Sequence, residues 1–114
     1  MTDCLFCKMV SGEIQPDVVL ETDEVLAFRD INPQAPVHVL VVPKRHIATI
    51  NDLEPQDAAL VGKLYLAAAE VARSEQIDQR GYRTVMNCNR DAGQTVFHLH
   101  LHVLGGRSLA WPPG

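Results

Sequence analysis

The feature that most constrains this sequence is a run of three histidines near its end, spaced two residues apart and separated by apolar residues. The run reads His98-Leu99-His100-Leu101-His102-Val103-Leu104. On a β-strand, successive side chains point to opposite faces, so the three imidazoles share one face and the apolar side chains share the other. A helix would scatter the imidazoles around its axis at about 100° per residue. The pattern therefore predicts a strand with an apolar core face and a histidine-lined working face, and the alternative is a solvent face that is merely rich in histidine.

The composition is that of an ordinary globular domain. The chain has 114 residues, of which 46% are hydrophobic and 21% are charged, enough for one core. The net charge of −4 gives no general affinity for nucleic acid or an anionic membrane. We see no secretory signal and no apolar stretch of membrane-spanning length, and the three cysteines are an odd number. We therefore expect a single cytoplasmic domain over residues 1–114, with neither nucleic acid nor membrane as a partner.

The rest of the chain alternates short apolar segments with polar loops. Strands are predicted, from apolar content or alternation, at residues 18–21, 24–29, 37–43, 82–88 and 98–104. One long helix is predicted from Pro55 to about Ile77. Its apolar residues cover more than one stripe, so it should bury two sides, one on the sheet and one on a second partner. Residues 30–36, with two prolines, and residues 89–94 are predicted loops.

Two cysteines form a C-x-x-C pair, Cys4 and Cys7, at the start of the chain. Such a pair can be a redox couple, half of a metal site or a coincidence. The redox form usually follows a strand, for which there is no room here, so it is the weakest of the three. Two thiolates are half of a tetrahedral zinc site and require two further ligands. The spacing alone leaves zinc and no metal open.

A row of imidazoles on one face serves either as a metal chelate or as a nucleophile with helpers. On a strand, residues i and i+4 lie about 13 Å apart, so two of the three imidazoles could share an ion but all three could not readily do so. At least one is then free, beside the polar loop. Backbone N–H groups of residues 93–96 and the amide of Asn87 could hold phosphate oxygens. A neutral imidazole is a competent nucleophile toward phosphorus when its other nitrogen donates to a fixed acceptor, so the pattern favours phosphate chemistry.

The histidine run resembles the histidine-triad motif, H-φ-H-φ-H-φ-φ, of the nucleotide-binding HIT superfamily. The stretches similar to its Hint branch, the purine nucleoside phosphoramidases, are residues 28–36, 93–96, 105–107 and the ending 111–114. The resemblance covers essentially the whole chain. It implies an α+β fold, with one long helix packed on an antiparallel sheet, in a homodimer with a continuous sheet. It also implies a single HIT domain with an N-terminal zinc half-site at Cys4 and Cys7 and a C-terminal tail at residues 105–114.

The resemblance also implies roles for individual residues. His100 would be the nucleophile and form a nucleotidyl-histidine intermediate, with His102 and His38 as the other catalytic residues beside the phosphate. Asp30 would bind the ribose hydroxyls. The implied nucleotide-binding residues are Ile14, Phe28, Asp30, Ile31, Asn87, Gly93, Gln94, Thr95, Val96, His100 and His102. Trp111 would reach the partner's active site and shape its leaving-group side. One departure from the branch lies near Ile14. Here Gln15 stands between Ile14 and Pro16, whereas many relatives have the proline directly after the residue that corresponds to Ile14.

The cysteines point to a particular form of the branch. In members that carry C-x-x-C, zinc is held by the two cysteines, a histidine shortly after the central strand and the first triad histidine. The corresponding residues here are Cys4, Cys7, His46 and His98. We therefore expect a structural zinc, no cofactor required for catalysis, and hydrolysis of purine nucleoside 5′-phosphoramidates. The alternatives are a dinucleoside polyphosphate hydrolase of the Fhit branch, which the ending of the chain argues against, and a non-catalytic zinc- or nucleotide-binding interaction module.

Overall fold

A single antiparallel sheet of five strands organises the fold. We describe residues 3–114 of a computed structural model. The strands are β1 (Val18–Glu21), β2 (Val25–Arg29), β3 (Val37–Pro43), β4 (Tyr82–Val85) and β5 (Leu101–Gly105). Across the sheet they lie in the order β1-β2-β3-β5-β4. A short helix, α1 (Leu5–Val10), precedes the sheet, and the long helix α2 (Ala58–Ser74) lies between β3 and β4 along the chain. The predicted α+β architecture, with an antiparallel sheet and one long helix, is confirmed.

The apolar face of the histidine run lies in the main core, as its alternation predicts. The central strand β3 pairs with β5, so that Val39 lies opposite Val103. These side chains pack against the buried face of α2, which consists of Leu60, Leu64, Ala67, Ala68, Val71 and Ala72. On the opposite face of the sheet, a smaller cluster forms around Phe6 of α1. The imidazoles of His98 and His100 both lie edge-on to the Phe6 ring, so they share this second face.

The strand predicted over residues 98–104 is regular only from Leu101. Upstream, the main chain bonds elsewhere: the Leu99 N–H donates to the Ile47 carbonyl at 2.6 Å, and the His98 carbonyl accepts from a histidine ring. The prediction that β4 reaches residue 88 is wrong. The last pair of the β4–β5 ladder is Val85 with His102, and β4 ends there. The alternation nevertheless persists, because Leu99 is buried in the core.

The long helix is shorter than predicted and buries one side. A separate 3-10 turn, Pro55–Asp57, precedes it, and the buried carboxylate of Asp57 accepts from the Glu54 N–H at 2.9 Å. Tyr65 and Leu66 on its other side are 49% and 71% exposed, so the described residues supply no second partner for that side. Within residues 3–114, α2 and the other helices are too short or too polar to span a membrane.

Candidate active site and metal centre

The histidine face of the sheet opens into a cleft of ≈ 570 Å³ bounded by α1, the segment after it and the loop that precedes the histidine run. Eight of the predicted nucleotide-binding residues line it: Ile14, Phe28, Asp30, Ile31, Thr95, Val96, His100 and His102. Apolar side chains of Leu5, Phe6, Met9 and Leu40 add to the wall, and the remaining lining residues are Gln15, Pro16, Asp17 and Arg29. The cleft therefore has an apolar region suited to a flat ring and a polar end made of imidazoles, a carboxylate and a hydroxyl.

The other predicted residues lie outside the cleft wall. Gln94 is buried, and its carboxamide is used internally: Nε2 donates to the carbonyls of Ala48 (2.9 Å) and Val96 (3.1 Å), and Oε1 accepts from the Asn89 N–H (2.8 Å). Its side chain thus holds the loop together. Gly93 takes a left-handed conformation, with φ +81°, that turns this loop toward the histidine run.

The imidazole of His100 is oriented by the main chain. Its Nδ1 lies 2.7 Å from the His98 carbonyl oxygen. A carbonyl only accepts, so Nδ1 carries the hydrogen and Nε2 carries the lone pair. Burial lowers the pKa of His100, against the effect of that hydrogen bond, and keeps the ring neutral near pH 7. His100 therefore brings an unprotonated Nε2 to the cleft.

The neighbouring pair, His38 and His102, presents an N–H donor to the cleft where His100 presents a lone pair. The Gln34 N–H donates to His38 Nδ1 at 3.0 Å, so the hydrogen of neutral His38 is on Nε2. That nitrogen lies 2.9 Å from His102 Nδ1, which must accept, and the hydrogen of His102 is therefore on Nε2. Burial is the main cause that lowers the pKa of both rings, that of His102 to about 4. The ring centroids of His100 and His102 are 5.0 Å apart, so a lone pair and an N–H donor lie side by side.

Asp30 lies beside this pair. Its Oδ1 accepts from the Asn32 N–H at 2.8 Å, and its Oδ2 is 3.4 Å from His38 Nε2. The three side chains could in principle hold a metal ion, because their ligand atoms lie within 4.8 Å of one another. The hydrogen bonds oppose it: a proton lies between His38 and His102, and the His38 lone pair faces the Gln34 N–H. This cluster is organised for proton transfer and hydrogen bonding.

The four residues predicted to bind zinc come together in a second cluster. The Nδ1 atom of His98 lies 3.3 Å and 3.5 Å from the Sγ atoms of Cys4 and Cys7, and 3.2 Å from Nδ1 of His46. In a tetrahedral zinc site the S–N and N–N edges are about 3.5 Å and about 3.3 Å long. The Nε2 of His98 is bound to the Pro43 carbonyl at 2.8 Å, so its Nδ1 lone pair faces the cluster. The donor set fits a metal ion, and the cluster could hold one.

Several groups at these sites could not be found by searching for functional side chains. The hydrogen positions on the histidine rings depend on the main-chain N–H of Gln34 and on the main-chain carbonyls of Pro43 and His98. Every residue type has the carbonyl, and every type except proline has the N–H, so the side chains at these positions give no signal. The contribution of α1 to the cleft wall did have a signal. Leu5 and Phe6 are apolar residues between the two cysteines, and a metal bound there would place them beside the histidine run.

Comparison with known proteins agrees with this fold and site. The family model described as the HIT domain matches residues 11–109. The crystal structure of a HIT family hydrolase from Legionella pneumophila Philadelphia 1 superposes with a TM-score of 0.96 at 52% identity, and covers 98% of this chain and 100% of that one. The purine nucleoside phosphoramidase of Escherichia coli K12 is 45% identical over 107 residues, 94% of this chain and 90% of its own. The chain therefore belongs to the HIT family, and these two relatives are named as a hydrolase and a phosphoramidase.

A third relative bears on the metal cluster. A zinc-bound histidine triad family protein from Mycobacterium smegmatis superposes with a TM-score of 0.78 at 34% identity, and covers 93% of this chain and 76% of its own. Zinc binding is thus compatible with this fold.

Proposed function

We propose that this protein hydrolyses purine nucleoside 5′-phosphoramidates through a nucleotidyl intermediate on His100. The observation that carries the proposal is the pairing of an unprotonated His100 Nε2 with an N–H donor on His102 at the polar end of an apolar cleft. A nucleophile toward phosphorus needs a lone pair, and the leaving amine needs a proton. The similarity to the phosphoramidase of Escherichia coli supports the choice of substrate class.

The nucleotide would bind with its base in the apolar region and its phosphate at the imidazoles. Ile14 and Phe28 flank the space for the base, and Asp30 offers carboxylate oxygens for the ribose hydroxyls. The hydroxyl of Thr95 and the main-chain N–H groups of Thr95 and Val96 would donate to phosphate oxygens. The N–H groups of Gly93 and Gln94 already donate to the Arg90 and Asn89 carbonyls within the loop. We place Asn87 and Gln94 behind this surface, since neither lines the cleft.

In the first step, His100 Nε2 attacks phosphorus, and the P–N bond of the substrate breaks with its electron pair passing to nitrogen. The anionic phosphate favours uptake of one solvent proton by the His38–His102 pair, whose pKa values burial otherwise lowers. The pair returns to its resting charge when His102 passes a proton to the leaving nitrogen. The Nδ1–H bond to the His98 carbonyl stabilises the positive charge that develops on the His100 ring.

In the second step, water attacks the phosphorus of the intermediate. The O–P bond forms, the Nε2–P bond breaks and its electrons return to His100, and a proton from the water passes by way of the His38–His102 pair to solvent. The products are a nucleoside monophosphate and the resting enzyme. Positioning and charge stabilisation supply most of the catalysis of phosphoryl transfer, and these residues provide both.

We propose that Cys4, Cys7, His46 and His98 hold a structural zinc ion. A closed set of four protein ligands leaves no open position for a substrate, which is typical of structural zinc. A bound ion would supply a cross-link between α1, the segment after β3 and the histidine run. These residues would then hold Phe6 against His100 and keep the His98 carbonyl in place beside its ring.

We also propose a homodimer with a continuous sheet, in which Trp111 reaches the partner's active site. In support, β4 is an edge strand, and Tyr82 on it and Leu66 on α2 are exposed apolar surface. Trp111 is 80% exposed, with the guanidinium of Arg83 5.9 Å from its ring.

Removal of residues 111–114 should leave a dimer by light scattering but change the preference among amine leaving groups. A cytoplasmic location is our proposal as well, supported by three free cysteines.

The test of the function is a side-by-side assay of adenosine 5′-phosphoramidate, guanosine 5′-phosphoramidate and diadenosine polyphosphate, with and without EDTA. The proposal expects the phosphoramidates to be the better substrates in both conditions. Rapid quench followed by intact-mass measurement should detect a nucleotidyl adduct on the protein. Preference for the polyphosphate would indicate the Fhit-type activity, and nucleotide binding without turnover of any of the three would indicate an interaction module.

A further inference from the structure

Arg107 lies outside the cleft, yet its guanidinium holds the loop that orients the two proton-bearing histidines. Nε and Nη2 of Arg107 donate to the Gln34 carbonyl at 3.2 Å and 2.9 Å. Its Nη1 donates to the Ser108 carbonyl at 3.0 Å. The guanidinium thereby ties the start of the C-terminal tail to the loop between β2 and β3.

The residue that receives these bonds also determines the state of His38. The Gln34 N–H donates to His38 Nδ1 at 3.0 Å, and His38 Nε2 lies 2.9 Å from His102 Nδ1. We infer that Arg107 is a positioning residue: through Gln34 and His38 it fixes which nitrogen of His102 carries the hydrogen that faces the substrate. The role in turnover rests on the proposed phosphoramidase function, whereas the hydrogen positions do not.

The alternative hydrogen arrangement shows why this control matters. If Gln34 turned away, His38 could carry its hydrogen on Nδ1 and accept on Nε2. His102 would then donate from Nδ1, and its Nε2 would carry a lone pair instead of an N–H. A second lone pair beside His100 would repel phosphate oxygens and could not supply a proton to the leaving group. Asp30 opposes this change as well, but at 3.4 Å from His38 Nε2 it does so more weakly than a bond of ordinary length.

Packing next to Arg107 holds the same loop. Gly106 has φ +90°, and a Cβ at this position would lie 2.9 Å from Cβ of Pro36. The main chain of the Gly106 turn thus rests directly on the loop, where a side chain would push it away. The turn supplies the surface, and the guanidinium of Arg107 supplies the hydrogen bonds that fix the orientation of Gln34.

The direct test is ¹⁵N NMR of histidine-labelled protein, which reports the protonated nitrogen of each ring. In the wild type we expect His38 and His102 with hydrogen on Nε2 and a bare Nδ1. In Arg107→Met, resonances of the other tautomer should appear for both rings, with Arg107→Lys intermediate, because one ammonium can still donate to the Gln34 carbonyl. The control is Arg80→Met, at an exposed residue in the turn before β4, which should match the wild type.

Kinetics with adenosine 5′-phosphoramidate give the second readout. Arg107→Met should lower kcat by about tenfold, a part of the 10²- to 10⁴-fold that positioned proton transfer typically contributes, and leave KM within about twofold. Unchanged tautomers in Arg107→Met would overturn the inference, whatever the kinetics. If Arg107→Met fails to fold, Arg107→Lys decides: resonances of the other tautomer in this variant would support the inference, and wild-type tautomers would contradict it. If the wild type itself does not turn over the substrate, the proposed function fails, and the NMR result still decides the role of Arg107.

Discussion

Two groups of imidazoles lie side by side in this protein and differ in where their lone pairs point. In the candidate metal site, the Nδ1 atoms of His46 and His98 approach each other to 3.2 Å and lie beside two thiols, so that four ligand atoms converge on one point. In the cleft, donors and acceptors alternate from Gln34 through His38 to His102. The first arrangement is suited to a cation and the second to a proton. The same residue type serves both sites.

The difference arises from main-chain groups rather than from the imidazoles. A carbonyl fixes the hydrogen of His98 on Nε2, another fixes that of His100 on Nδ1, and an N–H excludes hydrogen from Nδ1 of His38. His98 takes part in both sites, since its ring faces the cysteines and its carbonyl orients His100. The role of each histidine is therefore determined by the hydrogen-bond partner of the ring nitrogen that does not face the ligand.

The largest expected effect on turnover is that of His100→Ala, which removes the lone pair that faces the cleft. Turnover should fall by at least about 10³-fold, because no other unprotonated nitrogen faces the phosphate in this arrangement. Nucleotide binding should persist, since the ribose and base contacts lie elsewhere in the cleft, and calorimetry with a nucleoside monophosphate measures it. Turnover at the wild-type rate would refute the role of His100.

The second prediction removes one ligand of the proposed zinc site, Cys7, which does not line the cleft. Protein prepared without chelators should contain about one zinc per chain, and Cys7→Ser should lose it. The melting temperature should fall by about 5–10 °C, because binding free energy at such a site contributes to folding, while kcat changes less than His100→Ala changes it. Cys88→Ser is the matched control, at a free cysteine outside the cluster.

Two results would contradict that prediction. Elemental analysis could find no zinc in the wild type, which would remove the structural ion. Alternatively, activity could be lost with the metal and restored in proportion to added zinc while the melting temperature stays constant. That outcome would mean that the metal ion takes part in catalysis, so the Cys/His cluster would serve the reaction and not the stability of the fold.

Sequence reasoning predicted the parts of this molecule that depend on side-chain pattern. The alternation around His98 placed the apolar residues in the core, and the long helix, predicted from its own pattern, is confirmed. The antiparallel sheet is confirmed as well, but it was implied by the family resemblance and not by a side-chain pattern. The coming together of Cys4, Cys7, His46 and His98 was implied by resemblance alone, because no local spacing relates residues so far apart in the chain. The extent of β5 was wrong, since it depends on which carbonyls accept from Leu99 and His100.

The expectation for Gln94 shows a different limit. A polar residue in a loop beside the histidine run was predicted to contact the nucleotide, but its side chain turns inward to three main-chain groups. The sequence cannot distinguish these possibilities, because an amide is suited to both ligand binding and loop bracing. The hydrogen positions on His38 and His102 were equally out of reach, since they depend on the path of the main chain at Gln34.

The third prediction concerns this brace, which joins the segment after His46 to the loop beside the cleft. Gln94→Met leaves the Ala48 and Val96 carbonyls without their shared donor, and should lower the free energy of unfolding by about 1–3 kcal/mol in urea titrations. Gln79→Met is the control, at an exposed glutamine, and should change stability by less than about 0.5 kcal/mol. Equal effects of the two substitutions would mean that the brace contributes nothing.

The smallest expected effect is the pH dependence that His102 contributes to stability. Burial and the neighbouring imidazoles lower its pKa from the ordinary 6.5 to about 4. The unfolded chain therefore binds a proton at His102 between these values when the folded chain does not. The contribution of His102 to the free energy of unfolding is fully present above pH 6.5. It is lost progressively as the pH falls toward 4 and changes no further below that.

The measurement is the free energy of unfolding of the wild type minus that of His102→Gln, taken at several pH values from about 7.5 down to about 4. Acid would also release a metal ion bound at the cysteine-containing cluster, but it would do so in both proteins, so the difference between their free energies of unfolding isolates the cleft. The difference should fall with pH in the direction stated, and by less than the full shift of His102 implies, because His38 and His100 titrate with it. Parallel curves would mean that His102 is as well solvated as in the unfolded chain, and the alternating arrangement in the cleft would lose its main electrostatic support.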